Sequence, residues 1–169
     1  MLIMRTLAVF MLVGLFAFSV SAQDWRRMTE AELKSAVPDK APVIKENIET
    51  EFRTASGITD GKASIFGVVI ITAGYEADGK YTHFFRTGKR VDLGGLDLAA
   101  GDYVFGYQRL DGETLRVLFY QARGGALIGA LKAHTEKTKG PIYSFLITPP
   151  SGNAGKINIG RFSFDYKFN

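Results

Sequence analysis

Four aromatic side chains and two arginines stand at spacings that one pair of strands could gather. Tyr103, Phe105 and Tyr107 alternate along one stretch, Tyr120 lies on the next, and Arg109 and Arg116 share the rhythm. Asp111-Gly112 between the two stretches is a preferred pair for a two-residue type I′ hairpin loop. That loop would set Tyr103 opposite Tyr120, Phe105 opposite Leu118 and Tyr107 opposite Arg116, all on one face. Flat rings beside guanidinium groups can stack sugars, aromatic groups or a partner's apolar surface. Tyr103, Phe105, Tyr107, Tyr120 and Arg116 are therefore the candidate ligand-binding residues. The competing reading makes the same stripe core, or a face covered by Ile44, Ile48 and Phe52, because aromatic residues in strands commonly mark burial.

Other chemistry finds little support. The histidines, His83 and His134, have no carboxylate or further histidine at a metal-like spacing, whereas zinc needs three or four clustered ligands. Both read as structural, with His83 expected opposite Gly74 in a first hairpin, hydrogen-bonded locally. No Gly-x-Ser-x-Gly occurs, and Ser56-Gly57 and Ser151-Gly152 read as isolated turn pairs. The glycine pairs at 94–95 and 124–125 read as turns between strands rather than a phosphate cradle, which would need a following helix. No catalytic residue, metal ligand or cofactor is implied. Carboxylates are plentiful, so the alternative is a small exported hydrolase whose acid and base converge only in space.

The elements that would position these residues begin with a helix. Thr29-Glu30-Ala31-Glu32 is a capping box with Met28 and Leu33 placed as a hydrophobic staple, and Pro38 ends the helix near Val37. A second helix is expected from Ala41 to Ala55, with Pro42 in its first turn, a stripe of Ile44, Ile48 and Phe52, and Gly57 as its stop. Residues 23–60 thus read as an N-terminal helical segment and residues 61–169 as the β domain. The run Ile65 to Ile71 reads as a buried central strand, and Asp78-Gly79 as a tight hairpin turn before a returning strand from Tyr81. Strands follow over 102–110, 113–121, 126–133, 142–147 and 156–168, the last with a β-bulge at Gly160 to reconcile Ile157 and Ile159 with Phe162, Phe164, Tyr166 and Phe168. The fold class is mainly β: an antiparallel β-sandwich or partly closed barrel of about seven or eight strands with one or two N-terminal helices.

The N-terminus predicts export. Arg5, the apolar run Leu7 to Val20 and the small residues Ser21 and Ala22 are the three parts of a signal peptide over residues 1–22, cleaved between Ala22 and Gln23. The run is shorter than the ~20 residues a membrane span needs, so membrane association is not expected after cleavage. Cysteine is absent, which excludes a disulfide scaffold and thiolate chemistry. The chain has 21 Lys+Arg against 17 Asp+Glu with the signs interspersed, and its one local basic cluster, Lys132 to Lys139, also holds Glu136. That balance argues against a nucleic-acid partner. Alternating aromatics from Phe162 to Phe168 raise a small outer-membrane β-barrel as a further alternative, although eight spanning strands would consume most of the chain.

The segment from Val91 to Tyr103, with Gly94-Gly95, Leu98, Gly101 and Tyr103, resembles a strand–turn–strand signature of exported bacterial β-sandwich domains. Among these are prealbumin-like and carboxypeptidase-regulatory-like modules and an uncharacterised bacterial exported family. The resemblance covers about a tenth of the chain and implies architecture; no functional residue carries over from it. The expectation is a periplasmic or secreted module that binds an unknown ligand or an envelope protein, or serves as a structural accessory.

Overall fold

The computed structural model describes residues 24–137 and 139–168. The expected signal segment and its exit at Ala22 and Gln23 lie outside the described residues. Strand β1 (Arg26–Arg27) leads into the helix α1 (Glu30–Ala36). Its capping box forms as the sequence predicts: Thr29 Oγ1 accepts from the Glu32 amide at 3.3 Å, and the Thr29 amide donates to the Glu32 carboxylate at 2.8 Å.

The helix expected over Ala41 to Ala55 is not formed. Strands β2 (Lys40–Val43) and β3 (Glu46–Thr59) occupy that stretch and pair antiparallel, with Ala41 opposite Ile48. The four-residue spacing of Ile44, Ile48 and Phe52 suits a helix face, and it equally suits one side of a strand because four is an even number. Pro42 sits on β2, which among the described residues pairs with β3 alone, so its missing N–H is tolerated at an edge. Residues 23–60 are thus not a helical segment preceding the sheet, because β3 is itself a 14-residue strand of it.

The remaining strands are β4 (Ser64–Ile70), β5 (His83–Thr87), β6 (Val91–Leu93), β7 (Leu96–Leu98), β8 (Gly101–Arg109), β9 (Thr114–Gln121), β10 (Leu127–Thr135), β11 (Leu146–Ile147), β12 (Ala154–Ile159) and β13 (Phe162–Lys167). Among the described residues this gives one antiparallel sheet of 13 strands, more than the seven or eight expected. Its main path runs β1-β3-β4-β5-β8-β9-β10-β13-β12-β11, with the β6–β7 hairpin attached to β13. The sheet curls until its ends meet: the Ile147 amide of β11 donates to Ser56 Oγ of β3 at 3.0 Å, nearly closing a barrel. Of the 142–147 stretch expected as strand, only Leu146–Ile147 is one.

Two buried clusters divide the apolar side chains. The larger draws on strands all round the sheet, including Ile58, Ile65, Phe85, Phe105, Phe119 and Phe164, and fills the barrel. The smaller lies outside one arc of the wall, where Ile48, Phe66, Val68, Phe84 and Val104 are covered by Val37, Val43 and Tyr81. Strand β4 faces both clusters, which is why Ile65 to Ile70 reads as an almost unbroken apolar run.

Strand β3 serves both clusters by changing phase. Its pairing with β4 shifts between Glu51 and Ser56, so Ile48 points outward and Ile58 inward although both numbers are even. The Thr54 hydroxyl stands in for the interrupted ladder, accepting from the Val69 amide at 2.9 Å and donating to the Glu51 carbonyl at 2.7 Å. Thr54→Val keeps the shape and strands a part-buried amide, so it should lower unfolding stability by about 2 kcal/mol in urea titration, with Thr54→Ser close to wild type. An unchanged midpoint for Thr54→Val would show that the hydroxyl is not what satisfies the gap.

The Gly94-Gly95 turn forms as expected, whereas the first hairpin and Gly160 differ from expectation. The type I′ geometry falls at Gly94-Gly95, both at positive φ (56° and 94°), where Leu93 and Leu96 pair directly. The first expected tight hairpin is a longer loop over residues 71–82, and His83 pairs with Val69 rather than lying opposite Gly74. At Gly160 there is no bulge: Ile159 pairs with Phe162, so Gly160-Arg161 is a two-residue loop between β12 and β13, with Gly160 at φ 58°. A reversal across an even-length loop reconciles the odd and even apolar positions that the bulge was meant to explain.

Candidate functional site

The second hairpin pairs one residue away from expectation. Phe105 faces Phe119, Tyr107 faces Val117 and Gln108 faces Arg116, because the last pair is Arg109 with Leu115 and an odd number of residues, Leu110 to Thr114, lies between them. Asp111 Oδ1 accepts the Glu113 amide at 2.8 Å, and Gly112 does not take the positive φ that a type I′ turn requires. A one-residue slip moves every side chain of one strand to the other face. The expected platform is therefore divided.

Tyr103 and Phe105 are interior core, with the Tyr103 hydroxyl donating to the Ala99 carbonyl at 2.8 Å. Tyr120 lies on the outer face, edge-on to Tyr81 at 5.1 Å, with the Lys80 ammonium 5.2 Å from each ring. Arg116 is exposed on that same outer face, since its partners across the ladder are Gln108 and Lys132. Tyr107 alone of the five candidates lines the principal cavity.

That cavity, of about 760 Å³, opens at the end of the barrel where β4, β8 and β12 finish and β5, β9 and β13 begin. Val69, Leu115, Ile142, Ile159 and Phe162 supply apolar wall. Tyr107, Arg109, Arg161, Thr72 and Asp78 supply the polar rim. Tyr107 and Ile142 are 43% and 55% exposed, so the mouth presents apolar surface to solvent. Arg109 lies over the Phe162 ring at 5.0 Å, which restrains its side chain. Thr72 Oγ1 donates to Asp78 Oδ1 at 3.1 Å.

His83 forms part of the cavity floor. Its ring stacks on Phe105 with centroids 4.6 Å apart and planes within 5°, and Phe145 closes it from another side at 5.4 Å. Nδ1 shares a 2.8 Å hydrogen bond with the Thr82 hydroxyl, which also reaches the Phe105 carbonyl at 3.2 Å. Nε2 is buried without a hydrogen-bond partner. Burial pushes the imidazole pKa down to about 4, and the nearby Ser144 backbone opposes that only in part. A neutral, enclosed imidazole of this kind is a poor proton carrier at neutral pH.

Comparison of the chain with models of known families, with curated proteins and with solved structures returns no match. The cavity itself must carry the functional argument. Among the described residues Asp78 is the one carboxylate on its lining, whereas glycoside-type acid/base chemistry uses two. Among the described residues no group of three or more His, Cys, Asp or Glu side chains could hold a metal ion.

Of the lining residues, Tyr107 and Arg109 stand out in sequence as an alternating pair. Thr72, Asp78, Ile142 and Arg161 do not, because they come from three loops that only the closed barrel brings together. A faint signal existed in Gly160-Arg161, a glycine-led pair between two apolar strands.

Proposed function

We propose that this chain is an exported, non-catalytic binding module that takes a small, largely apolar ligand in the cavity at the open end of the barrel. The observation that carries the reading is the cavity: about 760 Å³, within the range of small-molecule sites, with apolar walls and a few convergent polar groups at its rim. Export rests on the N-terminal apolar run and its small-residue exit before Gln23. Apolar side chains pack inside the barrel, while Arg116, Lys132, Asp165 and Lys167 are exposed on strands of its wall. That arrangement supports a module working in water over a membrane-spanning barrel, whose apolar band faces outward.

Titration of the full chain, expressed for export, with the neutral fluorophore N-phenyl-1-naphthylamine tests the reading. Saturable enhancement is expected, and Tyr107→Ala should weaken it by about tenfold with the unfolding transition retained, since Tyr107 is half exposed. No enhancement, or an enhancement that Tyr107→Ala leaves untouched, overturns it.

A further inference from the structure

Building on the cavity as a ligand site, we infer that its ligand is an amphipathic monoanion, a single-chain carboxylate whose head lies between Arg109 and Arg161 and whose tail lies along the apolar wall. Arg26, Arg53, Arg86 and Arg90 each have a carboxylate partner. Arg109 and Arg161 form no ion pair among the described residues, yet both line the cavity and both are exposed. The Arg109 guanidinium carbon lies 5.0 Å from the Phe162 ring centroid, a cation–π contact that restrains the side chain without neutralising its charge, which a carboxylate can then meet. Arg161, on the two-residue loop, directly precedes Phe162, the first residue of β13 and the ring under Arg109, so both cations border Phe162 on the cavity lining.

Asp78, engaged by Thr72 and carried on the loop over residues 71–82, is the acidic residue of the lining among the described residues. Its charge disfavours a second anionic group and orients the head toward the arginines. The half-buried Val69 and the exposed Tyr107 and Ile142 offer apolar surface that a chain can cover, with the buried Leu115 and Ile159 behind them.

Competition separates this inference from the reading on which it rests. N-phenyl-1-naphthylamine bound to the full chain is displaced with decanoate or with 1-decanol, which differ in the charged head. Decanoate is expected to displace the probe at about one tenth of the decanol concentration in low salt. Arg109→Gln/Arg161→Gln should bring the two competitors to near parity, read as the ratio of their displacing concentrations within that variant, and Arg109→Lys/Arg161→Lys should keep most of the preference. Equal displacement by both competitors in the wild type, or a preference that survives the glutamine pair, overturns the monoanion assignment and leaves the cavity reading standing. Failure of the probe to bind at all removes the cavity reading itself.

Discussion

Gly106→Ala should destabilise the protein by about 3 kcal/mol or more, well beyond an ordinary strand substitution. A Cβ at Gly106 would stand 2.0 Å from the Lys80 carbonyl oxygen and 3.0 Å from its carbonyl carbon. Both sides of that contact are backbone and neither has room to yield. Gly106 is held in the β8–β9 ladder opposite Leu118, and Lys80 is fixed by hydrogen bonds from the Lys80 and Tyr81 amides to the Ala77 carbonyl. The adjoining Thr82 amide donates to the Phe105 carbonyl at 2.9 Å, so the loop crosses β8 at its closest approach. Forcing it away would uncover Tyr81, which is 1% exposed, and disturb Thr82 and Gly79 on the cavity lining. Urea unfolding checks this, with Gly112→Ala as the comparison: no atom lies within 4 Å of its added Cβ, and a change within about 0.5 kcal/mol is expected there. Equal midpoints for the two variants would mean that the loop over β8 slides freely.

The second large effect is a loss of stability between pH 6.5 and about 4. His83 is 3% exposed, and burial holds its pKa at about 4 against an ordinary 6.5. Between those values the unfolded chain takes a proton that the folded chain refuses, so protonation favours unfolding and stability rises with pH across the window. The whole step amounts to about 3 kcal/mol, complete once the pH is below the folded value. Hydrogen bonds and cations lower the carboxyl pKa values of Glu30, Glu32, Asp60, Asp111 and Glu136, so their losses begin further down the scale. The slope from pH 6.5 to 5 therefore belongs chiefly to His83. Denaturant midpoints measured across that range should fall in the wild type and stay level in His83→Leu, and a level wild-type curve would show that the imidazole reaches solvent.

The parts of this fold that were legible in the sequence share one property: their causes lie within a few residues. The Thr29–Glu32 capping box joins neighbours three apart, and it formed as read. Ile65 to Ile70 needed only local composition to read as a strand buried on both sides. The Gly94-Gly95 turn followed from two adjacent glycines able to take positive φ. Where two local readings were available, the sequence did not choose. The spacing of Ile44, Ile48 and Phe52 fits a helix stripe and a strand alternation, and pairing of β3 with β2 and β4 decided between them, leaving Ile44 in the β2–β3 turn at φ 56°.

The candidate site shows the division most clearly. Tyr103, Phe105 and Tyr107 do share a face, as alternation along a single strand requires. Which face of β9 joins them depended on whether an even or an odd number of residues separates the paired ends: the expected turn leaves two between Leu110 and Glu113, whereas Arg109 pairs with Leu115 across five, with the Asp111 side chain capping the Glu113 amide within them. That one-residue difference sent Arg116 and Tyr120 outward and placed Leu115, Val117 and Phe119 inside.

By itself, then, the sequence determined a cysteine-free, strand-rich chain with a capped short helix and an apolar alternation suited to antiparallel pairing. Tertiary structure alone decided the barrel closure at Ile147 and Ser56, the phase change in β3, and the meeting of Thr72, Arg109, Ile142 and Arg161 around one cavity. Capping and alternation act between near neighbours and are written in local order, whereas the register across each loop accumulates around the sheet, so a single residue gained or lost redirects every side chain beyond it.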